Sequence, residues 1–112
     1  MSKVIAMENI ITEKLRLTAY PAAGHTVELS MKNRKTRLSL ISISFSHARL
    51  AANGGHGEFK KIGLRAGLDL GVGGEKFHCT VSWVSKNEIE VAFAAALPLS
   101  IAEMQAVFSH AA

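Results

Sequence analysis

The chain has few of the residues that would cross-link it or hold it in a membrane. Its single cysteine, Cys79, has no partner for an internal disulfide, so nothing favours an oxidising compartment. No run approaches the ~20 apolar residues that a membrane-spanning helix needs. The apolar stretch at the start is short and is soon interrupted by Glu8, unlike a signal peptide. We therefore expect a cytoplasmic protein that does not enter a membrane.

Recognisable catalytic and metal-binding motifs are also missing. The nine carboxylates form no pattern that identifies an acid–base pair, and there is no Gly-x-Ser-x-Gly motif. The glycine-rich residues 71–74 lack the lysine and the helix start of a phosphate loop, so they indicate a turn. The five histidines are scattered, without the short spacing of zinc ligands. We predict a protein that is not an enzyme and that holds neither a metal nor a cofactor.

What the chain does have is enough apolar residues for one self-sufficient core. They make up 48% of its 112 residues and are spread along its length. A domain of this size buries about two-thirds of the surface that its unfolded chain exposes. We predict a single domain over residues 1–112. The net charge of +4 and the pI near 9.5 favour anionic partners, without selecting among nucleotides, nucleic acid and acidic protein surfaces.

Alternation of apolar and polar residues is the dominant pattern. Residues 26–31 alternate as a half-buried antiparallel strand, residues 32–35 indicate a hairpin turn, and residues 36–44 form the returning strand. This second strand changes face, because Leu38 and Leu40 share one side whereas Ile43 and Phe45 share the other. One core can bury both pairs only if an extra residue shifts the register. We therefore predict a β-bulge or a barrel corner near residues 40–42.

The second half of the chain continues in the same way. We predict a flexible loop at residues 53–57 and strands at 67–74, 76–84 and 88–93, with a turn at 85–87. On the strand 76–84 one face is apolar and is expected to point inward; its members are Phe77, Cys79, Val81 and Trp83. The ending is helical, because Ser100 and Glu103 form a capping box before an apolar stripe.

The segment before Gly24 is ambiguous. Residues 15–20 could form a strand, whereas residues 1–12 could be a further strand or a loose arm; we delimit the arm at residues 1–14. Five to seven short strands and one helix are typical of a small barrel or sandwich. The predicted fold is mainly β, a small six-stranded antiparallel barrel with a C-terminal α-helix.

The densest charge feature lies at the predicted hairpin tip and comprises Lys32, Arg34, Lys35 and Arg37. Such a cluster can hold phosphates, but it is also typical of a solvated turn whose charges protect a sheet edge. Binding of single-stranded nucleic acid would need aromatic residues on the same surface. Tyr, Trp and most Phe residues are instead expected to face inward, which disfavours nucleic acid as a partner.

The order of these segments resembles the PilZ family. Residues 40–50 are similar to the family segment Asp/Asn-x-Ser-x-x-Gly-Ala-x-Leu, and residues 63–70 to its Leu-x-x-Gly step into the next strand. Residues 81–84 and 89–93 resemble its pair Val-x-Trp and Ile-Gly-Val-x-Phe, and residues 97–98 with the final helix fit its ending. The resemblance covers about residues 15–110. It implies a six-stranded barrel with a C-terminal helix that senses cyclic di-GMP in bacterial motility, biofilm and secretion control.

The resemblance also implies where a ligand would bind, and there the chain departs from the family pattern. In the Asp/Asn-x-Ser-x-x-Gly segment only Ser44 matches, since Ser42 replaces the Asp/Asn and His47 replaces the glycine. The family also uses an Arg-x-x-x-Arg arm before the barrel. Arg16 fits one of these arginines, but the other position is occupied by Thr12 or by Tyr20.

We therefore expect a signalling adaptor that has lost or weakened cyclic di-GMP binding and contacts a protein, such as a pilus, flagellar or signalling component. The first alternative is a cyclic di-GMP sensor with an altered site. Its candidate residues are Arg16, Tyr20, Arg34, Ser42, Ser44 and His47. The second alternative is a nucleic-acid-binding barrel that uses the basic hairpin tip.

Overall fold

The computed structural model describes residues 18–21, 24–71 and 75–108. They form seven strands, a short 3₁₀ helix and one α-helix. In chain order these are β1 (Thr18–Ala19), β2 (Thr26–Met31), β3 (Arg34–Ser44), β4 (His47–Ala51), the 3₁₀ helix (Gly54–Phe59), β5 (Arg65–Asp69), β6 (Lys76–Val84), β7 (Glu88–Phe93) and α1 (Ile101–Phe108).

Six of the strands close into an antiparallel barrel. Neighbouring strands follow the order β3, β2, β5, β6, β7, β4, and β4 pairs again with β3 to complete the circle. The short β1 lies outside this circle, where it pairs with the end of β3 through Thr18–Ser44 and Ala19–Ile43. The predicted mainly β architecture, a six-stranded antiparallel barrel followed by a helix, is confirmed.

The predicted β-bulge in β3 is confirmed. Leu40 pairs with Leu50 of β4, and the next pair is Ser42 with Arg49, so Ile41 is the extra residue. Because one added residue turns all later side chains to the opposite face, both apolar pairs of this strand are buried. Leu38 and Leu40 fill the barrel before the bulge, and Ile43 and Phe45 fill it after the bulge.

All six barrel strands contribute fully buried apolar side chains to one core. Leu29 of β2 and Leu68 of β5 lie opposite each other and expose none of their surface. Burial of a side chain of this size stabilises the fold by about 1.5–3 kcal/mol. The other four strands each place at least one comparable residue in the same interior, namely Leu38, Leu50, Val81 and Ile89.

Two predicted connections and one predicted strand differ from the structure. Residues 53–57 were expected to be a flexible loop, but the 3₁₀ helix begins there, because Asn53 Oδ1 accepts from the Gly55 N–H at 2.9 Å and His56 Nδ1 accepts from the Asn53 N–H at 3.2 Å. The β2–β3 turn is only two residues, and Lys32 adopts a φ of 44° to close it. The strand predicted at 67–74 is β5, which begins and ends earlier, and residues 72–74 lie outside the described residues.

The capping box of α1 is confirmed. The Ser100 N–H donates to Glu103 Oε1 at 3.0 Å, and the Glu103 N–H donates to Ser100 Oγ at 3.0 Å. The hydrogen bond from the Ser100 backbone lowers the pKa of the Glu103 carboxyl, because it favours the charged form. Leu99 and Met104 are buried on either side of this cap. No helix within the described residues is long and apolar enough to span a membrane.

Candidate functional site

The β3–β4 turn contains the residues that the family resemblance places at a nucleotide. Ser44 Oγ accepts from the backbone N–H groups of His47 at 3.1 Å and Ser46 at 3.4 Å. Ser46 Oγ lies 2.8 Å from His47 Nδ1. The carbonyls of Phe45 and Ser46 accept from Leu97 and Phe93, which ties the turn to the chain at the end of β7. The polar groups of this turn are therefore engaged within the protein.

His47 occupies the position that the family fills with glycine, yet it needs no glycine-like backbone. Among the described non-glycine residues only Lys32 has a positive φ. The His47 side chain is half-buried, and its ring is held by the Ser46 hydroxyl. The His47 imidazole therefore occupies space that a glycine would leave open. A ligand needs that space to approach the backbone of the turn closely.

The other residues predicted for this site are only partly brought together. Tyr20 directly follows β1, whose last pair is Ala19 with Ile43, the neighbour of Ser42 in β3; it is 70% exposed. Arg34 begins β3, whereas Ser44 ends it. Ten residues of strand span roughly 33 Å, so Arg34 cannot share a small-ligand site with Ser44. Arg16 lies outside the described residues.

Arg34 instead belongs to the opposite end of the barrel. Its Nε lies 2.8 Å from Glu58 Oε2 of the 3₁₀ helix, and both side chains are at least half exposed. Of the predicted site residues, Arg34 therefore lies apart from Ser44 and His47, which lie together in the β3–β4 turn.

Tyr20 and Trp83 were both expected to face inward, but Tyr20 is 70% exposed and Trp83 is 39% exposed. At Trp83 a second bulge causes the difference. Val81 pairs with Val91, and the next pair is Trp83 with Glu90, so β6 carries one extra residue at Ser82. Cys79 and Val81 point inward as predicted, but the added residue turns Trp83 to the outside of the barrel.

Arg49 of β4 contacts the exposed indole. Its Cζ lies 4.6 Å from the centroid of the Trp83 ring, which is the geometry of a cation–π contact. The same guanidinium lies 3.8 Å from Glu88 Oε1 and 3.6 Å from Glu90 Oε1. All three charged side chains remain about one-third exposed. This is a charged and aromatic cluster on the outer surface of the barrel.

Strand pairing extends this cluster into a continuous row of side chains across four strands, which, together with Tyr20, we call the outer-wall row. Ser42 pairs with Arg49, Arg49 pairs with Glu90, and Glu90 pairs with Trp83. At the Ser42 end of the row, the exposed Tyr20 directly follows Ala19, which pairs with Ile43. An exposed aromatic residue is therefore found toward each end of the row, Tyr20 at one and Trp83 at the other. Alternation alone could not reveal this row, because it depends on two bulges and on pairing between segments distant in sequence.

The exposure of Trp83 can be tested directly, because it is the only tryptophan in the chain. In the native protein, iodide and caesium should both quench its fluorescence, and the preference for iodide over caesium reports the charge around the ring, where the carboxylates of Glu88 and Glu90 offset the Arg49 guanidinium. Arg49→Gln should reduce this preference. Arg65→Gln, which removes an exposed charge from β5, is the matched control and should leave the preference unchanged. A tryptophan that neither ion quenches would contradict the outward orientation.

The sulfur and the histidines do not build a second kind of site in the described part of the chain. Cys79 is buried, and its Sγ donates to the Ala66 carbonyl oxygen at 3.6 Å. No group of three or more His, Cys, Asp and Glu side chains among the described residues could hold a metal ion. In this part of the chain, the outer-wall row and the β3–β4 turn are therefore candidate functional surfaces.

Comparison of the chain with protein-family models, with curated proteins and with solved structures finds no match in any of the three.

Proposed function

We propose that this chain is a PilZ-like adaptor, linked to cyclic di-GMP regulation in bacteria, which acts by contact with a protein rather than by catalysis. A closed six-stranded barrel with a following helix is the architecture that the sequence resemblance implies. The single observation that carries the proposal is the outer-wall row. It presents exposed aromatic residues, Tyr20 and Trp83, on either side of a charged centre.

Aromatic side chains that are as exposed as Tyr20 and Trp83 are typical of binding surfaces. A partly exposed tryptophan supplies a large contact area that loses little conformational entropy on binding, and Trp, Tyr and Arg are the residues most often dominant at protein interfaces. In the outer-wall row, Arg49 and Glu90 already pair with each other across β4 and β7. A partner that covers this pair must therefore supply apolar contact to Tyr20 and Trp83 and polar contact to the centre.

The chain lacks groups with which the PilZ family holds its nucleotide at the β3–β4 turn and the preceding arm. An acidic anchor is replaced by Ser42, and one arginine of the family arm is absent from the sequence. The loss of each charge-assisted hydrogen bond costs about 1.5–3 kcal/mol. Two such losses reduce affinity by roughly 100-fold or more. The internal bonding of Ser44 and the imidazole at position 47 support the same conclusion.

Isothermal titration with cyclic di-GMP tests this proposal. We expect no binding by the native protein in the micromolar range. The double variant Ser42→Asp/His47→Gly restores two family residues in the turn and should gain affinity by about tenfold or more. Micromolar binding by the native protein would contradict the adaptor and favour the sensor. No gain in the double variant would argue against the PilZ-like interpretation of the turn.

Contact with a protein partner is tested separately, by capture of the partner on the native protein and on variants. Trp83→Ala should abolish capture of a pilus, flagellar or signalling component that the native protein retains, because it removes the aromatic anchor of the outer-wall row. His78→Ala removes another exposed ring from the same strand and is the matched control. Equal capture by both variants would show that the outer-wall row is not the contact surface.

A further inference from the structure

One end of the barrel concentrates positive charge, which we call the basic end. It is formed by residues 32–37 at the start of β3, by the β4–β5 connection at 52–64 and by the β6–β7 turn at 85–87. Within these three segments there is one carboxylate, Glu58. The cations in the same segments are Lys32, Arg34, Lys35, Arg37, Lys60, Lys61 and Lys86. Only the first four were visible as a cluster in the sequence.

Direct contacts hold the three segments together. Arg34 reaches Glu58 at 2.8 Å, which joins the hairpin to the 3₁₀ helix. The Lys60 ammonium donates to the Lys86 carbonyl oxygen at 2.6 Å, and the Ala52 N–H donates to the Asn87 carbonyl oxygen at 2.8 Å. The charges therefore form one surface, although 54 positions separate Lys32 from Lys86 in the chain.

This surface is concave. A depression of about 370 Å³ lies between the hairpin and the 3₁₀ helix, where Arg34, Lys35 and His56 are among its lining residues. A second depression of about 330 Å³ adjoins it, is lined by Arg37, Asn53 and Asn87, and shares His56 with the first. A shallow path thus runs over the basic end, with Arg34, Lys35 and Arg37 along its β3 wall. The opposite wall is formed by polar residues of the β4–β5 connection and the β6–β7 turn, including Glu58, His56 and Asn87.

We propose that the basic end binds an acidic segment of a protein partner. The cations are distributed over three segments rather than converging on one point, which suits an extended chain of negative charges better than a single phosphate. Among the described residues, one of these cations, Arg34, forms an ion pair, with Glu58, and Glu28 lies opposite Arg37 in the β2–β3 register. This inference does not depend on whether the chain is PilZ-like.

An apolar residue among the cations favours an acidic peptide over nucleic acid. Ile62 follows Lys60 and Lys61 and is 73% exposed. It can pack against an aliphatic side chain of a partner but offers no flat ring to a base. The aromatic residue that lines the depression, Phe59, is only 5% exposed and belongs to the core. Single-stranded nucleic acid binding relies on exposed aromatic rings along the cationic path.

The experiment uses a fluorescein-labelled peptide of alternating glutamate and leucine, titrated with the full chain and followed by anisotropy. Two probes of similar length accompany it, the same peptide with glutamine for glutamate, and oligo-thymidylate. We expect the acidic peptide to bind more tightly than both. Its affinity should fall as salt is raised, because exposed charges are screened.

Charge-reversed variants locate the site. Lys35→Glu and Lys61→Glu should each weaken binding of the acidic peptide by about fivefold or more, since each removes an attraction and adds a repulsion. Lys76→Glu makes the same change in net charge at an exposed position at the other end of the barrel and should change affinity by less than about twofold. Ile62→Ser should weaken the glutamate–leucine peptide but not a peptide of glutamate alone.

Each result decides the proposal. Equal effects of Lys61→Glu and Lys76→Glu would overturn it, because the attraction would then reflect net charge alone. Tighter binding of oligo-thymidylate than of the acidic peptide would overturn it in favour of nucleic acid. Equal binding of the glutamine peptide would show that charge is not recognised. Circular dichroism of each variant establishes that loss of binding is not loss of fold.

Discussion

Phe45→Ala should be the most destabilising of the changes considered, with a loss of about 3–5 kcal/mol in the free energy of unfolding. Phe45 lies in the β3–β4 turn and exposes none of its surface. Removal of its ring leaves a cavity that the closed barrel cannot collapse to fill, because the turn is tied by the hydrogen bond from the Leu97 N–H to the Phe45 carbonyl at 2.9 Å. Urea unfolding followed by circular dichroism measures the change.

The magnitude is large relative to the whole stability of such a domain, which is typically about 5–15 kcal/mol. Ile62→Ala is the matched control, because it also truncates a large apolar side chain but at a position that is 73% exposed. It should change stability by no more than about 0.5 kcal/mol. Similar losses in the two variants would contradict the placement of Phe45 inside the barrel.

The second large effect concerns alkaline pH and Cys79. Burial raises the pKa of its thiol from the ordinary value of 9.0 to about 11, because a thiolate is poorly solvated in the core. A group whose pKa is higher in the folded state favours folding while it is protonated in both states. Its contribution is therefore complete below pH 9 and is lost as the pH rises through 11.

The expected loss from this one group is about 1.4 kcal/mol per pH unit between these limits, or roughly 2–3 kcal/mol in all. Lysines and the tyrosine also titrate in this range, so the measurement is a difference. The free energy of unfolding of the native protein should fall more steeply between pH 9 and pH 11 than that of Cys79→Ala. The cavity in the variant lowers its stability by an amount that does not vary with pH. Parallel curves would show that the thiol is accessible to water.

The two proposed binding surfaces, the outer-wall row and the basic end, would make separate demands on a partner. The outer-wall row offers Tyr20 and Trp83 with a largely neutralised centre, whereas the basic end offers uncompensated charge around Ile62. One partner could use both surfaces, with the acidic segment increasing the rate of encounter and the aromatic contacts slowing dissociation. Trp83→Ala and Lys61→Glu separate these contributions, because the first should affect mainly the dissociation rate and the second mainly the salt-dependent association rate.

Much of the fold follows from local pattern. Alternation identified the strands that became β2, β3, β6 and β7, because each exposes one face to solvent and buries the other. The capping box at Ser100 and Glu103 located the start of α1, since its hydrogen bonds join residues only three positions apart. Even the bulge at Ile41 could be predicted, because both faces of that strand carried apolar residues that needed burial.

The candidate surfaces, in contrast, were decided by tertiary structure. The bulge at Ser82 left no trace in the pattern, because Trp83 is apolar and fitted the inward row equally well. Arg34 and Ser44 were candidates for one site, yet the length of β3 holds them at opposite ends of the barrel. Lys60 and Lys86 lie at the same end as the basic hairpin only because the closed barrel brings their segments together. The sequence by itself determined which residues alternate and where turns and caps occur, because those depend on near neighbours; which side chains share a surface depended on strand order and register, which only the closed barrel sets.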